Sequence, residues 1–125
     1  MDIAPIVSDQ MPRAIGPYSH AYRAGDLLFV SGQPGIDPET GVVTDGDFEA
    51  EARMAFQNLR RVLTVAGLDM HRVVKTTVFI ASADLVPAMN ALYAEFFPSA
   101  PPARATPIIA LPRGLRISIE AIAAY

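Results

Sequence analysis

Along residues 48–66, apolar side chains recur three or four apart, at Phe48, Ala52, Ala55, Leu59, Val62, Leu63 and Ala66. That spacing predicts an amphipathic helix. Glu49, Glu51, Arg53, Arg60 and Arg61 fall mostly off the stripe. Asp47 stands where an N-cap belongs and Gly67 where a helix stops. A second stripe, Leu85, Met89, Leu92 and Phe96, predicts a helix over 85–97. Asp84 would cap it and Pro98 would end it, and Pro87 fits the first turn, where its missing N–H has no helical partner to lose. Strands are predicted for the apolar run 27–31 and the β-branched run 73–80. Two more are predicted over 106–111 and 115–124, joined by a Pro112-Arg113-Gly114 turn. In the last of these, Leu115, Ile117, Ile119, Ala121 and Ala123 share one face, and Arg116, Ser118, Glu120 and Ile122 the other. Gln33 to Gly46, rich in Pro and Gly, reads as a connection.

Strands, helix, strand, helix, strands is the order of an α+β domain, with one sheet and two helices on one of its faces. At 125 residues the chain suits one domain, residues 1–125. The uncovered sheet face carries apolar side chains, so self-association is the expected way to bury it.

Composition narrows the function classes. With no cysteine, a disulfide, a thiolate metal site and a Cys nucleophile are all excluded. The two histidines, His20 and His71, show no ligand spacing and read as structural or exposed, so no metal site is predicted. A formal charge of −3 gives no field to attract nucleic acid. No apolar run approaches the roughly 20 residues of a membrane span. Met1 to Gln10, with Asp2 and Asp9, lacks the basic start and apolar core of a signal peptide.

Four side chains carry candidate chemistry. Glu120 sits in the apolar stretch ISIEAIA, where a carboxylate is costly unless paired, hydrogen-bonded or used. It reads either as a carboxylate that activates water or as an exposed strand residue, such as a partner of Arg116. Arg104 lies in PSAPPARATP with no acidic residue nearby. It reads either as a rigidly placed fork of donors for a carboxylate or as a solvated loop arginine. Tyr18, in IGPYSH, is either a cleft wall or a core tyrosine with a satisfied hydroxyl. Asn90 lies off the second apolar stripe, where it reaches an interface or faces solvent.

Seven stretches, in order, cover nearly the whole chain: AIGPYSHA (14–21), LLFVSGQPGIDPETG (27–41), AFQNLRRVLTVAGL (55–68), VVKTTVFI (73–80), MNALYAEFF (89–97), PPARAT (101–106) and ALPRG…ISIEAIA (110–123). Together they resemble the Rid (reactive-intermediate deaminase, YjgF/L-PSP) family. The resemblance implies a chorismate-mutase-like α+β subunit with a mixed, mostly antiparallel sheet, assembled into a barrel-like homotrimer with clefts between neighbours. It maps the family's carboxylate-binding arginine onto Arg104 and its water-handling glutamate onto Glu120. Tyr18, Ser31, Asn90 and Thr106 map onto positions that bind or shape around the substrate.

The implied activity is hydrolysis of 2-imino acids or enamines to 2-keto acids and ammonia in the cytoplasm, without cofactor, nucleic acid or membrane. A non-catalytic carboxylate-binding trimer and a pathway-specific deaminase of the same family are the alternatives. The endoribonuclease activity attached to the older family name fits poorly with an acidic chain lacking a His pair. The segment 104–112 is one residue shorter than the family pattern and has Pro107 where a strand residue is common. Ala81-Ser82 replaces the more usual acidic turn. Both departures bear on substrate range.

Overall fold

The computed structural model describes residues 1–11 and 14–125. The sheet is organised by its C-terminal strand. In chain order the elements are β1 (Ile3–Ile6), β2 (Ala21–Ala24), β3 (Leu27–Pro34), α1 (Phe48–Val65), β4 (Val73–Ile80), α2 (Val86–Phe96), β5 (Ala103–Ala105) and β6 (Ile117–Ala124). The six strands form one sheet in the order β1-β2-β3-β6-β4-β5. Every neighbouring pair is antiparallel except β4 and β5.

The alternation along β6 decides which face is covered. Ile117, Ile119, Ala121 and Ala123 are buried, together with Leu28 and Val30 of β3 and Thr76, Val78 and Ile80 of β4. Both helices pack on that face. In α1 the buried stripe includes Ala52, Ala55, Phe56, Leu59, Val62 and Leu63. Phe56 stacks on Phe96 of α2, with ring centroids 5.0 Å apart. Each such fully buried side chain contributes roughly 1.5–3 kcal/mol by leaving water. The opposite face of a single chain is uncovered, and Tyr22, Leu27 and Phe29 stand exposed on it.

Asp47 caps α1 as expected, its carboxylate accepting from the Ala50 N–H at 2.9 Å. Asp47→Ala should therefore cost about 1 kcal/mol, read as a lower urea midpoint with an unchanged slope. Gly67, past the end of α1, has φ +82, which favours glycine. The second helix departs from expectation. A 3₁₀ turn, Ala83–Leu85, precedes α2, and no side chain caps the helix. Asp84 instead accepts from the Ser82 hydroxyl.

The strand expected over 106–111 does not form. Pro107 has no N–H for a ladder, so the regular pairing lies upstream, in Ala103–Ala105. Beyond it the chain keeps only two backbone bonds to Ile80: the Ile80 N–H donates to the Pro107 carbonyl, and the Ile109 N–H to the Ile80 carbonyl, each at 3.0 Å. The Pro112–Gly114 turn is 3₁₀, and β6 begins at Ile117 rather than Leu115.

Candidate functional site

A bulge between β3 and β6 shapes the surroundings of Glu120. Val30 pairs with Ala121 and Gln33 with Ile119, so Ser31 and Gly32 together oppose Glu120. A Cβ at Gly32 would meet the Ser118 Oγ at 2.6 Å, so the close approach needs glycine or a displaced hydroxyl. The Ser31 hydroxyl donates to the Ser19 carbonyl at 2.6 Å, tying the bulge to the loop that carries Tyr18. Buried Gln33 adds a second tie. Its amide nitrogen donates to the Ser31 carbonyl at 3.0 Å and lies 3.3 Å from His20 Nδ1. Because the carbonyl can only accept, that Gln33 atom is the nitrogen, and His20 Nδ1 is the acceptor. Tyr18 meets the His20 ring edge-on, centroids 6.1 Å apart. At 44% exposure Tyr18 is a surface side chain, not a core one.

Glu120 lines a hollow of about 290 Å³ on the open sheet face with Phe29, Lys75, Thr77 and Ile122. It does not pair with Arg116. The Arg116 Nε lies 2.7 Å from Glu51, whose side chain is 1% exposed, and the Arg116 backbone N–H donates to the same carboxylate at 2.7 Å.

Arg104 is built from the other side of the sheet. It pairs with Thr76 in the parallel β4–β5 register. Its guanidinium lies over the Tyr93 ring, 4.8 Å from the centroid, and its Nη1 is 3.9 Å from the Met89 sulfur. Both partners belong to α2 and to the core. Among the described residues no carboxylate lies within 4.0 Å of Arg104. Glu95, the nearest acid before it in sequence, is instead 3.0 Å from Arg53. Arg104 and Asn90 line one hollow of about 380 Å³, walled by Tyr93, Ala94, Phe97, Pro101 and Pro102. The result is an exposed guanidinium with oriented donors and apolar walls, suited to a small carboxylate. Thr106 follows β5 directly and is half-buried.

The six candidate residues thus fall into two groups. Tyr18, Ser31 and Glu120 belong to the β3–β6 bulge and its loop; Asn90, Arg104 and Thr106 belong to the β5–α2 edge. Arg104 reaches the helix-covered side while Glu120 lines the open side. A single chain therefore does not bring the two together. Sequence reasoning also missed Tyr93, whose hydroxyl is 2.6 Å from the buried Thr76 Oγ1. Burial pushes the Tyr93 phenol up from its ordinary range, and the Thr76 hydrogen bond and the Arg104 charge pull it partly back. Its place off the apolar stripe and beside Asn90 was the available signal.

A mixed six-stranded sheet with both helices on one face is the single-domain α+β fold of the YjgF/L-PSP structures. The crystal structure of YyfA, a Rid-family protein of unknown function from Yersinia pestis, superposes with a TM-score of 0.94 at 37% identity, covering 99% of this chain and 100% of that one. Residues 8–125 match the family model Endoribonuclease L-PSP, and the chain belongs to this family, the Rid family. Among curated relatives, Protein DfrA of Myxococcus xanthus is 46% identical over 94% of this chain and 92% of its own. The 2-iminobutanoate/2-iminopropanoate deaminase of Mus musculus is 43% identical over 94% of this chain and 88% of its own.

Proposed function

We propose that the chain hydrolyses 2-imino acids and their enamine tautomers to 2-keto acids and ammonia, in clefts shared between the subunits of a cytoplasmic homotrimer. The observation that carries this reading is Arg104: an exposed guanidinium, oriented by α2, with no carboxylate partner among the described residues. The name of the mouse relative supports the substrate class. The opposite placement of Glu120 supports sharing, because only a second copy can present that carboxylate to a ligand held by Arg104. Docking a neighbour on the open face would also cover Tyr22, Leu27 and Phe29.

In this mechanism Arg104 grips the substrate carboxylate through paired N–H donors, and a partly desolvated cleft strengthens that contact. The grip sets the adjacent C=N carbon beside a water on a neighbour's Glu120. Glu120 takes a proton from the water as the oxygen adds to carbon, giving a carbinolamine. Glu120 returns that proton to the nitrogen and then relays the hydroxyl proton to it as well, so the C–N bond breaks and ammonia leaves as the C=O forms. The reaction is redox-neutral and the imine is already electrophilic, so positioning supplies most of the acceleration and no cofactor is called for. Ser31, Tyr18, Asn90 and Thr106 shape the cleft.

The test couples the purified protein to an amino-acid oxidase that generates the imine and follows ammonia release. Wild type should accelerate release, and Arg104→Ala, with oligomer and circular dichroism unchanged, should lose about 100-fold or more. Full activity in that variant would remove Arg104 from the reaction. A thermal shift with pyruvate but no accelerated ammonia release would make the protein a carboxylate binder instead.

A further inference from the structure

We infer that Tyr93 is a positioning residue for carboxylate recognition: its ring is the platform that aims Arg104, and Thr76 is the anchor that holds the platform. The inference rests on the reading of Arg104 as a carboxylate-binding residue and deepens it.

A surface arginine samples many rotamers, and a ligand must immobilise it at a cost in affinity. The usual way to fix a guanidinium is a carboxylate, but that contact occupies the donor fork and offsets the charge an anionic substrate needs. Arg104 is held by two uncharged groups instead, the Tyr93 ring and the Met89 thioether. Attraction to a ring comes from the ring's quadrupole and consumes no N–H donor, so that of these two contacts only the one to the Met89 sulfur engages an N–H, at Nη1. Burial favours the neutral phenol, so Tyr93 does not compete as an anion.

The platform itself cannot turn. The Tyr93 hydroxyl is bonded to Thr76, which is fully buried. Phe56 meets the ring edge-on with centroids 5.9 Å apart, and Phe97 packs tilted at 4.7 Å. Thr76 is also the residue paired with Arg104 between β4 and β5. The backbone of the arginine and the ring beneath its guanidinium are therefore both registered to one side chain on β4. That double reference fixes where the donor fork points.

The experiment replaces Tyr93 with phenylalanine and with mono-, di- and trifluorophenylalanine in the full chain. Fluorination weakens the ring quadrupole at nearly constant shape. Calorimetry with pyruvate gives the affinity, and coupled turnover gives KM and kcat separately. Pyruvate affinity should fall stepwise along the series, by about 5- to 20-fold at the trifluoro ring. KM should rise in step while kcat changes by no more than about 2-fold. A purely packing role for Tyr93 predicts no such grading. A flat series, in a protein whose pyruvate binding is lost in Arg104→Ala, overturns the platform and leaves the carboxylate site standing. Wild-type protein that binds no pyruvate overturns both.

Discussion

Chains carrying Arg104→Ala, mixed with chains carrying Glu120→Gln, should regain about a quarter of wild-type turnover, although each variant alone is nearly inactive. The expectation follows from where one fold puts the two side chains. Arg104 leaves β5 toward α2, and Glu120 leaves β6 toward the open face. In the proposed cyclic trimer each cleft would take its arginine from one subunit and its glutamate from the next. After random 1:1 mixing, one subunit supplies an intact arginine half the time and its neighbour an intact glutamate half the time. About one cleft in four is then whole, for a symmetric ring of this kind. Each variant alone should fall by about 100-fold or more, the first through lost grip and the second through lost proton transfer. The measurement is ammonia release after co-refolding the two variants, set beside each refolded alone. A mixture no better than its components would mean that Arg104 and Glu120 do not meet across a subunit boundary.

What could be read along the chain was whatever one element settles for itself. The stripe of α1, the β-branched run of β4 and the alternation of β6 each mark a buried face without reference to a partner, and each element forms close to its expected bounds. The missed strands lack that independence. Ile3–Ile6 contains Pro5 and is mostly exposed, and Ala21–Ala24 is four residues long with Tyr22 and Arg23 exposed. They lie at one edge of the sheet and are strands because β3 templates them. Ala103–Ala105 is exposed at all three positions and owes its state to parallel pairing with β4.

The site follows the same division. Arg104 and Glu120 stand out as candidates because each is a charge in surroundings that do not explain it. Their separation onto two faces could not be found, because a three-residue strand has no periodicity to reveal which way it points. Tyr93 was passed over because a tyrosine near a helical stripe looks like packing, and its hydrogen bond to Thr76 joins residues 17 apart in sequence. The burial of Glu51 likewise depends on a distant partner. It stands at the flank of the apolar stripe, three residues from Phe48 and four from Ala55, and is buried because Arg116 supplies both an Nε–H and a backbone N–H to its carboxylate.

That buried carboxylate leads to the largest expected effect on stability, at Gly35. The residue follows β3, and Arg116 immediately precedes β6, so Glu51 fastens α1 to the strand ends just beyond the bulge. A Cβ on Gly35 would stand 2.3 Å from the Glu51 backbone oxygen and 2.5 Å from its Cγ. The carboxylate stem could shift at the expense of its bonds to Arg116, but the helix backbone cannot follow without unseating α1 from the core. Gly35→Ala should therefore cost about 3 kcal/mol or more, lowering the melting temperature by about 10 °C for a chain of this size. Adding Glu51→Ala should not restore it, because the closer clash is with backbone and the second change leaves the Arg116 donors unpaired. Scanning calorimetry of the single and double variants decides the point: recovery in the double variant would place the strain in the Glu51 side chain alone. Because Gly35 directly follows β3, a Gly35→Ala protein folded at low temperature should also lose turnover, as the displaced strand end moves Ser31 and Gly32 from their places opposite Glu120.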